Sequence, residues 1–273
     1  MIIDQDFINN ILPSLKETVI DASKAIMEVY DSDSFDTEIK DDGSPVTKAD
    51  NLANNIILKS LSAITPDLPI ISEETFNPDI LQPVGPYWLV DPLDGTKGFI
   101  NKDGNFTVNI ALIKDSKSIF GIICAPSTSK VWSGSIFNNL DLDIGNRPLN
   151  NSLRIVMSKN HQTETDKKFL DLLSDKDIAF SLVAKGSSLK LCALADNEAD
   201  IYPRFGPTSE WDIAAGNACL LEKGGHVCQM LSGEPLEYSK PESILNPAFV
   251  AFRDEDLKEQ FLPLISEFYK KLV

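Results

Sequence analysis

The sequence predicts an α+β N-terminal half, residues 1–150, joined to an α/β C-terminal half, residues 151–273. Three patterns carry that expectation. Apolar side chains recur at helical spacing near the start of the chain. Residues 87–137 form a run of short apolar segments broken by turn residues, and from about residue 150 strand-like and helix-like segments alternate. With 273 residues and 42% apolar composition, the chain can build a substantial core, as one large domain or two joined closely.

Ile8, Ile11, Leu12, Leu15, Val19, Ala22, Ile26 and Val29 follow the three- and four-residue spacing of an amphipathic helix, with Pro13 near its first turn. The acidic, turn-rich stretch DSDSFDTEIKDDGSPV then reads as a mobile loop. Ala49, Leu52, Ala53, Ile56, Ile57 and Leu61 place a second helix, and Pro69-Ile70-Ile71 reads as a short strand running into Ser72-Glu73-Glu74. After a strand at 87–90, three more at 106–113, 118–124 and 130–137 are separated by Asp115-Ser116 and Pro126-Ser127, as in antiparallel hairpins. The C-terminal half reads as strand 153–157, helix 163–174, strand 179–183, a helix from Gly186, strand 199–202 and a helix from Asp212. Strands 226–230 and 247–252 and a closing amphipathic helix follow.

The balance of 25 basic against 41 acidic residues, a net charge of −16, argues against duplex nucleic acid or an anionic membrane surface as partner. It would also repel a free phosphate ester, so a phosphorylated substrate needs local positive charge, and bound cations are the obvious source. Cys124, Cys192, Cys219 and Cys228 are scattered without a CxxC pair and read as buried thiols in a reducing compartment. The N-terminal MIIDQDFINN lacks the basic residues of a secretory signal, and no apolar run is long enough to span a bilayer. Together these predict a cytoplasmic protein and leave peripheral membrane association open.

The stretch YWLVDPLDGTKGFI, residues 87–100, carries the chemistry. Pro92 is expected to stop the strand, so that one turn lets Asp91, Asp94 and the Leu93 carbonyl face one point. Such hard oxygen ligands suit Mg²⁺ or Mn²⁺, and no nearby His or Cys favours zinc. Gly95 and Thr96 then open a turn or helix whose N–H groups can receive a phosphate. Taken alone, the segment fits an ordinary turn equally well. Glu73 at the end of a short apolar strand and Asp212 amid apolar neighbours add two acids, although a solvated loop acid and a helix N-cap explain them as well. The chain has no GxSxG elbow, Walker A loop or GxGxxG, which removes support for serine hydrolysis, P-loop transfer and dinucleotide redox chemistry.

Glu73-Glu74, WLVDPLDGT and WDIAAG, in this order, resemble the inositol monophosphatase superfamily of Mg²⁺-dependent, lithium-sensitive phosphatases. Within it, DPLDGTKGF (with Lys97 where inositol phosphatases usually carry Thr), KGSSLKLCALADNEADIYPRFGPTSEWD and LNPAF are similar to the CysQ-type 3′(2′),5′-bisphosphate nucleotidases. The similarity runs from DGSPVTKAD, ending at Asp50, through Phe249. It implies the layered αβαβα sandwich of the inositol monophosphatase and fructose bisphosphatase type, with metals between the halves. It implies two or three Mg²⁺ ions, Mn²⁺ being an alternative. Glu73, Asp91 and the Leu93 carbonyl would hold the first, and Asp91, Asp94 and Asp212 the second. Thr96, oriented by Asp50 and working with Glu73, would place the attacking water, and the Gly95 and Thr96 amides would bind the phosphate being cleaved.

Ser187, Ser188, Lys190 and Arg204 match nucleotide-binding positions of that family, and Asp212 would also face the substrate. Without the resemblance, a helix cap, a snorkelling Lys and a surface Arg account for them. Lys159 and His161 are weaker candidates. The expectation is a small phosphorylated nucleotide as substrate, adenosine 3′,5′-bisphosphate cleaved to AMP and phosphate in sulfur metabolism, by a monomer or homodimer. An inositol monophosphatase or sugar bisphosphatase on the same scaffold is the alternative, and a non-catalytic nucleotide or metal sensor is the rival of another class.

Overall fold

Asp4 opens the first helix by accepting the Phe7 N–H at 2.9 Å, and α1 then runs Gln5–Tyr30. In this computed structural model the described residues are 2–32, 38–39, 45–77, 85–138, 152–158, 163–240 and 243–273. The early cap puts Pro13 inside α1 rather than in its first turn. Much of the acidic stretch expected as a loop lies outside the described residues, but Glu38–Ile39 (β1) and Pro45–Val46 (β2) pair antiparallel within it. The second helix, α2, is Lys48–Ile64.

The first sheet takes its strands in the order β3 (Ile70–Ser72), β4 (Tyr87–Asp94), β5 (Thr107–Lys114), β6 (Lys117–Ala125) and β7 (Lys130–Ser135). A short 3₁₀ turn, Glu73–Thr75, follows β3, and the five-residue helix α3, Thr96–Ile100, follows β4. β3 joins β4 in parallel and the rest form an antiparallel meander. Asp115 and Ser116 turn β5 into β6 with left-handed φ of 50° and 59°, the backbone of a tight two-residue hairpin. Pro92 does not end β4, contrary to expectation. The partners Asp91↔Asn109 and Asp94↔Thr107 leave one extra residue on β4, so Pro92 and Leu93 sit in a β-bulge where no ladder N–H is required.

The C-terminal half adds β8 (Leu153–Met157), α4 (Glu164–Asp175), β9 (Phe180–Ala184), α5 (Leu189–Ala195) and β10 (Ile201–Arg204). It continues with β11 (Thr208–Ser209), α6 (Glu210–Glu222), β12 (His226–Gln229), β13 (Leu245–Asn246), β14 (Phe249–Phe252) and α7 (Glu255–Lys270). Its sheet has the order β12-β14-β10-β8-β9, with β10-β8-β9 parallel and β14 antiparallel to both its neighbours. α5 starts at Leu189 rather than Gly186, because Ser187 adopts a left-handed φ of 52° that a helix cannot include.

Alternation along the strands sorts side chains into three cores. Trp88, Val90, Val108, Ile110 and Ile122 pack with α1 and α2 on the outer face of the first sheet. Leu89, Ala111 and Ile123 face the other way, toward α5 and α6 and the inner residues Val156, Tyr202 and Phe249 of the second sheet. Ile155, Ile201, Val250 and Phe252 pack on α4 and α7 through Phe169, Leu173, Leu257, Phe261 and Ile265. Helices, sheet, helices, sheet and helices thus stack in five layers, the expected αβαβα sandwich.

The middle layer is packed closely. A Cβ added at Gly121 would lie 2.7 Å from Ala215 Cα, and one at Gly134 would lie 2.5 Å from Cys219 Cα, both on the α6 backbone. Gly121→Ala must therefore push α6 off the sheet. We expect it to lower the urea midpoint by the equivalent of roughly 1–3 kcal/mol with little change in slope. An unchanged midpoint in equilibrium unfolding would contradict this packing.

Candidate active site

Two N-terminal caps aim acids at the junction of the sheets. Thr47 caps α2, and the N3 residue Asp50 accepts from the Thr47 amide at 2.7 Å and hydroxyl at 2.6 Å through Oδ2. Its other oxygen, Oδ1, receives the Thr96 hydroxyl at 3.3 Å, which is also 3.3 Å from the Leu93 carbonyl. At α6 the cap is Ser209, and Asp212 is the N3 residue rather than the N-cap: its Oδ2 accepts the Ser209 N–H at 2.9 Å.

On β4, residues three apart would ordinarily face opposite sides of the sheet. The bulge changes this. Asp91 and Asp94 pair with Asn109 and Thr107, which are two apart on β5 and share a face. Asp91 accepts the Leu93 N–H at 3.0 Å on Oδ1. Asp94 Oδ2 collects three donors: Ser187 Oγ at 2.6 Å, Ser188 N at 2.8 Å and Ser188 Oγ at 3.2 Å. Asp91, Asp94 and Asp212 each offer an oxygen within 4.8 Å of the others, an acidic cluster that could hold a metal ion. Glu73 is not in this tightest set, but its charge is the strongest acting on Asp91.

Burial, and then the charges of Glu73, Asp94, Asp212 and Asp50, push the Asp91 carboxyl well above the usual carboxylate range. Burial, and then Asp94 and Glu73, raise Asp212, against the opposing Ser209 amide and Arg204. Asp50 is raised chiefly by burial, with its bonds to Thr47 opposing. The cluster is thus a set of like charges, Asp91 buried and Asp94 and Asp212 half-buried, and among the described residues no ion pair to a protein cation neutralises them. Its donors are all hard oxygens, and each of Asp91, Asp94 and Asp212 has one oxygen bonded to the protein and the other without a hydrogen bond among the described residues. That donor set fits a hard divalent cation.

Gly95 has φ +94°, and a Cβ there would stand 2.7 Å from the Asn105 carbonyl, so the turn between the cluster and α3 requires glycine. Beside it opens a cavity of about 420 Å³, lined by Gly95, Lys97, Ser187, Lys190 and Arg204 among others. Lys190 and Arg204 also line a second cavity of about 330 Å³. Lys190 is buried, donates to the Ser187 carbonyl at 3.2 Å and stands 5.6 Å from the centre of the Tyr202 ring. Burial lowers its pKa to about 8, with the Asp94 charge opposing. Arg204 donates to the Pro207 carbonyl at 3.1 Å, while its Nε is buried without a partner among the described residues. Ser187 borders the cavity, but Ser188 is buried and bonds Asp94 and the Asp212 carbonyl, so it braces acids rather than facing the cavity. Lys159 and His161 lie outside the described residues.

Sequence reasoning missed Thr107 and Asn109. Thr107 Oγ1 lies 2.6 Å from Ser187 Oγ, and Asn109 Nδ2 donates to Ser188 Oγ at 3.0 Å. Two polar residues at alternate positions of the otherwise apolar FTVNIALI were the available signal.

The sandwich is that of a phosphatase family, and the chain belongs to it: residues 9–268 match the inositol monophosphatase family. Within the family it is similar to the 3′(2′),5′-bisphosphate nucleotidase CysQ of Escherichia coli K12, 40% identical over 242 residues, 84% of this chain and 94% of that one. The nucleotidase CysQ of Buchnera aphidicola is 40% identical over 261 residues, 90% of this chain and 96% of its own. The crystal structure of CysQ from Bacteroides thetaiotaomicron superposes with a TM-score of 0.72 at 32% identity, covering 89% of this chain and 97% of that one. An inositol monophosphatase of Thermotoga maritima reaches a TM-score of 0.76 at 19% identity, with 97% and 100% covered, which is a likeness of fold.

The raised carboxyls make a pH prediction. The folded chain keeps protons on Asp91 and Asp212 to a higher pH than the unfolded chain, whose aspartates titrate at about 3.9. The contribution of these groups to metal-free stability is therefore lost as pH rises from that value through their raised pKa. With chelator present, Asp91→Asn is expected to melt above the parent at pH 7, by the equivalent of about 2 kcal/mol, and the two should converge toward pH 4. Parallel melting curves across that range would mean that the acids do not repel.

Proposed function

We propose that this chain is a Mg²⁺-dependent 3′(2′),5′-bisphosphate nucleotidase that cleaves adenosine 3′,5′-bisphosphate to AMP and phosphate, clearing a by-product of sulfate activation. One juxtaposition carries the reading. In a chain of net charge −16, three singly anchored carboxylates stand beside a cavity lined by Lys97, Lys190 and Arg204. Residues 1–150 would supply most of the metal site, and residues 151–273 would supply Asp212 and the recognition residues. No helix among the described residues is long and apolar enough to cross a membrane, and the four buried, unpaired thiols suit a reducing cytoplasm.

Asp91, Asp94, Asp212, Glu73 and the Leu93 carbonyl would hold two or three Mg²⁺ ions, or Mn²⁺ in their place. When bound, such ions cancel phosphate charge, lower the pKa of the attacking water and stabilise the leaving alkoxide. Thr96 gives its proton to Asp50 or to the Leu93 carbonyl, so its lone pairs remain to accept a hydrogen bond from the water. Glu73 receives the proton that the water loses as its oxygen bonds phosphorus. The ester P–O bond breaks, and the departing 3′-oxygen takes up a proton from a second water molecule of the solvent. The Gly95 and Thr96 amides hold the phosphate being cleaved, at a turn where glycine lets the backbone approach.

The 5′-phosphate is left for Lys190 and Arg204, whose unpartnered Nε points to a missing acceptor. A charge-assisted contact of this kind is worth roughly 1.5–3 kcal/mol, about ten- to hundred-fold in binding. Arg204→Ala should therefore raise KM for adenosine 3′,5′-bisphosphate by about that factor and barely change hydrolysis of inositol 1-phosphate. Equal losses on both substrates would make Arg204 structural. If the parent enzyme preferred inositol 1-phosphate, the alternative reading as an inositol monophosphatase would replace this one.

Lys190 adds a pH signature. Below about 8 its ammonium is charged and attracts the second phosphate, and above that value the attraction fades. KM for the bisphosphate should climb between pH 7 and pH 9, and Lys190→Met should start high and stay flat. A parent KM indifferent to pH across this interval would remove Lys190 from recognition.

A further inference from the structure

Glu210 is fully buried and takes no part in the chemistry above, yet its carboxylate accepts three hydrogen bonds. Its carboxylate accepts the Ser239 N–H at 2.9 Å, the Lys240 N–H at 3.4 Å and the Lys240 ammonium. Next to these bonds, Ser239 Oγ donates to the Tyr87 hydroxyl at 2.8 Å, and Asn217 Nδ2 on α6 donates to the Tyr238 hydroxyl at 2.8 Å. The returning chain is stitched down again where Glu210 N donates to the Ile244 carbonyl at 2.8 Å and β11 pairs with β13.

The strap formed by residues 238–240 therefore touches two elements. Tyr87 begins β4, the strand that carries Asp91 and Asp94. Glu210 begins α6, two residues before Asp212 and within the same helical turn. A buried ion pair contributes little net stability, because desolvation offsets its attraction, so its use here must be sought in geometry. We propose that the Glu210–Lys240 pair and the Ser239–Tyr87 bond form a brace that sets the distance of Asp212 from Asp91 and Asp94. Glu210 and Lys240 are then positioning residues for the cation. The inference rests on the metal-site reading above.

Glu210→Gln and Lys240→Met, singly and together, test it. Thermal melts with chelator report folding, melts across a Mg²⁺ series report the concentration giving half of the metal-induced shift, and steady-state kinetics at saturating Mg²⁺ report kcat. Each single change leaves one charge of the pair unmatched, the buried Glu210 or the half-buried Lys240, and should lower the chelated melting temperature, whereas the double change removes both charges and should recover much of it. The double variant should nevertheless need about tenfold more Mg²⁺ for its half-shift, while kcat at saturating Mg²⁺ stays near the parent's. A double variant with the parent's half-shift concentration would overturn the brace and leave an ion pair that serves folding alone. If the double variant did not fold, Tyr87→Phe would decide, since it cuts the same brace at β4 and keeps the ring: an unchanged half-shift there overturns the proposal. A parent whose melting ignores Mg²⁺ would sink the metal-site reading itself, and the brace with it.

Discussion

Asp91, Asp94 and Asp212 crowd three carboxylates within 4.8 Å, where each close pair repels by about 4 kcal/mol even at an effective dielectric near 20. Much of the surrounding structure serves to keep them there. Each acid is tied by one oxygen to a backbone or hydroxyl donor supplied by its own turn or by the facing loop. Asp91 uses the bulge, Asp212 its helix cap, and Asp94 the two serines before α5. The anchored oxygens fix position, and the remaining ones are left to converge. A single anchor per acid is what separates a ligand set from a collection of ordinary salt bridges.

The layered fold makes that convergence rigid. α6 lies between the sheets, and its approach to the first sheet is so close that two strand positions tolerate only glycine. The helix that delivers Asp212 is thereby registered against the sheet that delivers Asp91 and Asp94. The capping boxes of α2 and α6 repeat one local device, since in both the N3 carboxylate that closes the first turn also faces the site. Helix initiation and site construction use the same side chains.

Much of this was legible in the chain. The period-3.6 pattern of α1 and α2 and the apolar runs of β5 to β7 are strong signals, because both faces of the first sheet are covered and its strands read as almost continuous hydrophobics. The acids were legible as residue types at strand ends and helix starts. The bulge was not, since a proline after an apolar run reads as a stop unless its partner strand is known. Nor was the helix start at Leu189, because the left-handed Ser187 is imposed by the contacts of its hydroxyl with Asp94 and Thr107, which lie far away in sequence. Long-range bonds of this kind leave no local signature, and they account for most of what the sequence did not disclose.

Ser187 itself shows what such a site asks of the chain. Its φ of 52° lies where glycine would rest easily and where a residue with a Cβ costs on the order of 1–2 kcal/mol. A search for stabilising substitutions would single out this position and write glycine there. The exchange would relax the backbone and at once remove a hydroxyl that Asp94 receives at 2.6 Å. Strain and hydrogen bond belong to the same residue, so thermal robustness and the arrangement of the acids are opposed at this one position, and an engineer cannot improve the first without loosening the second.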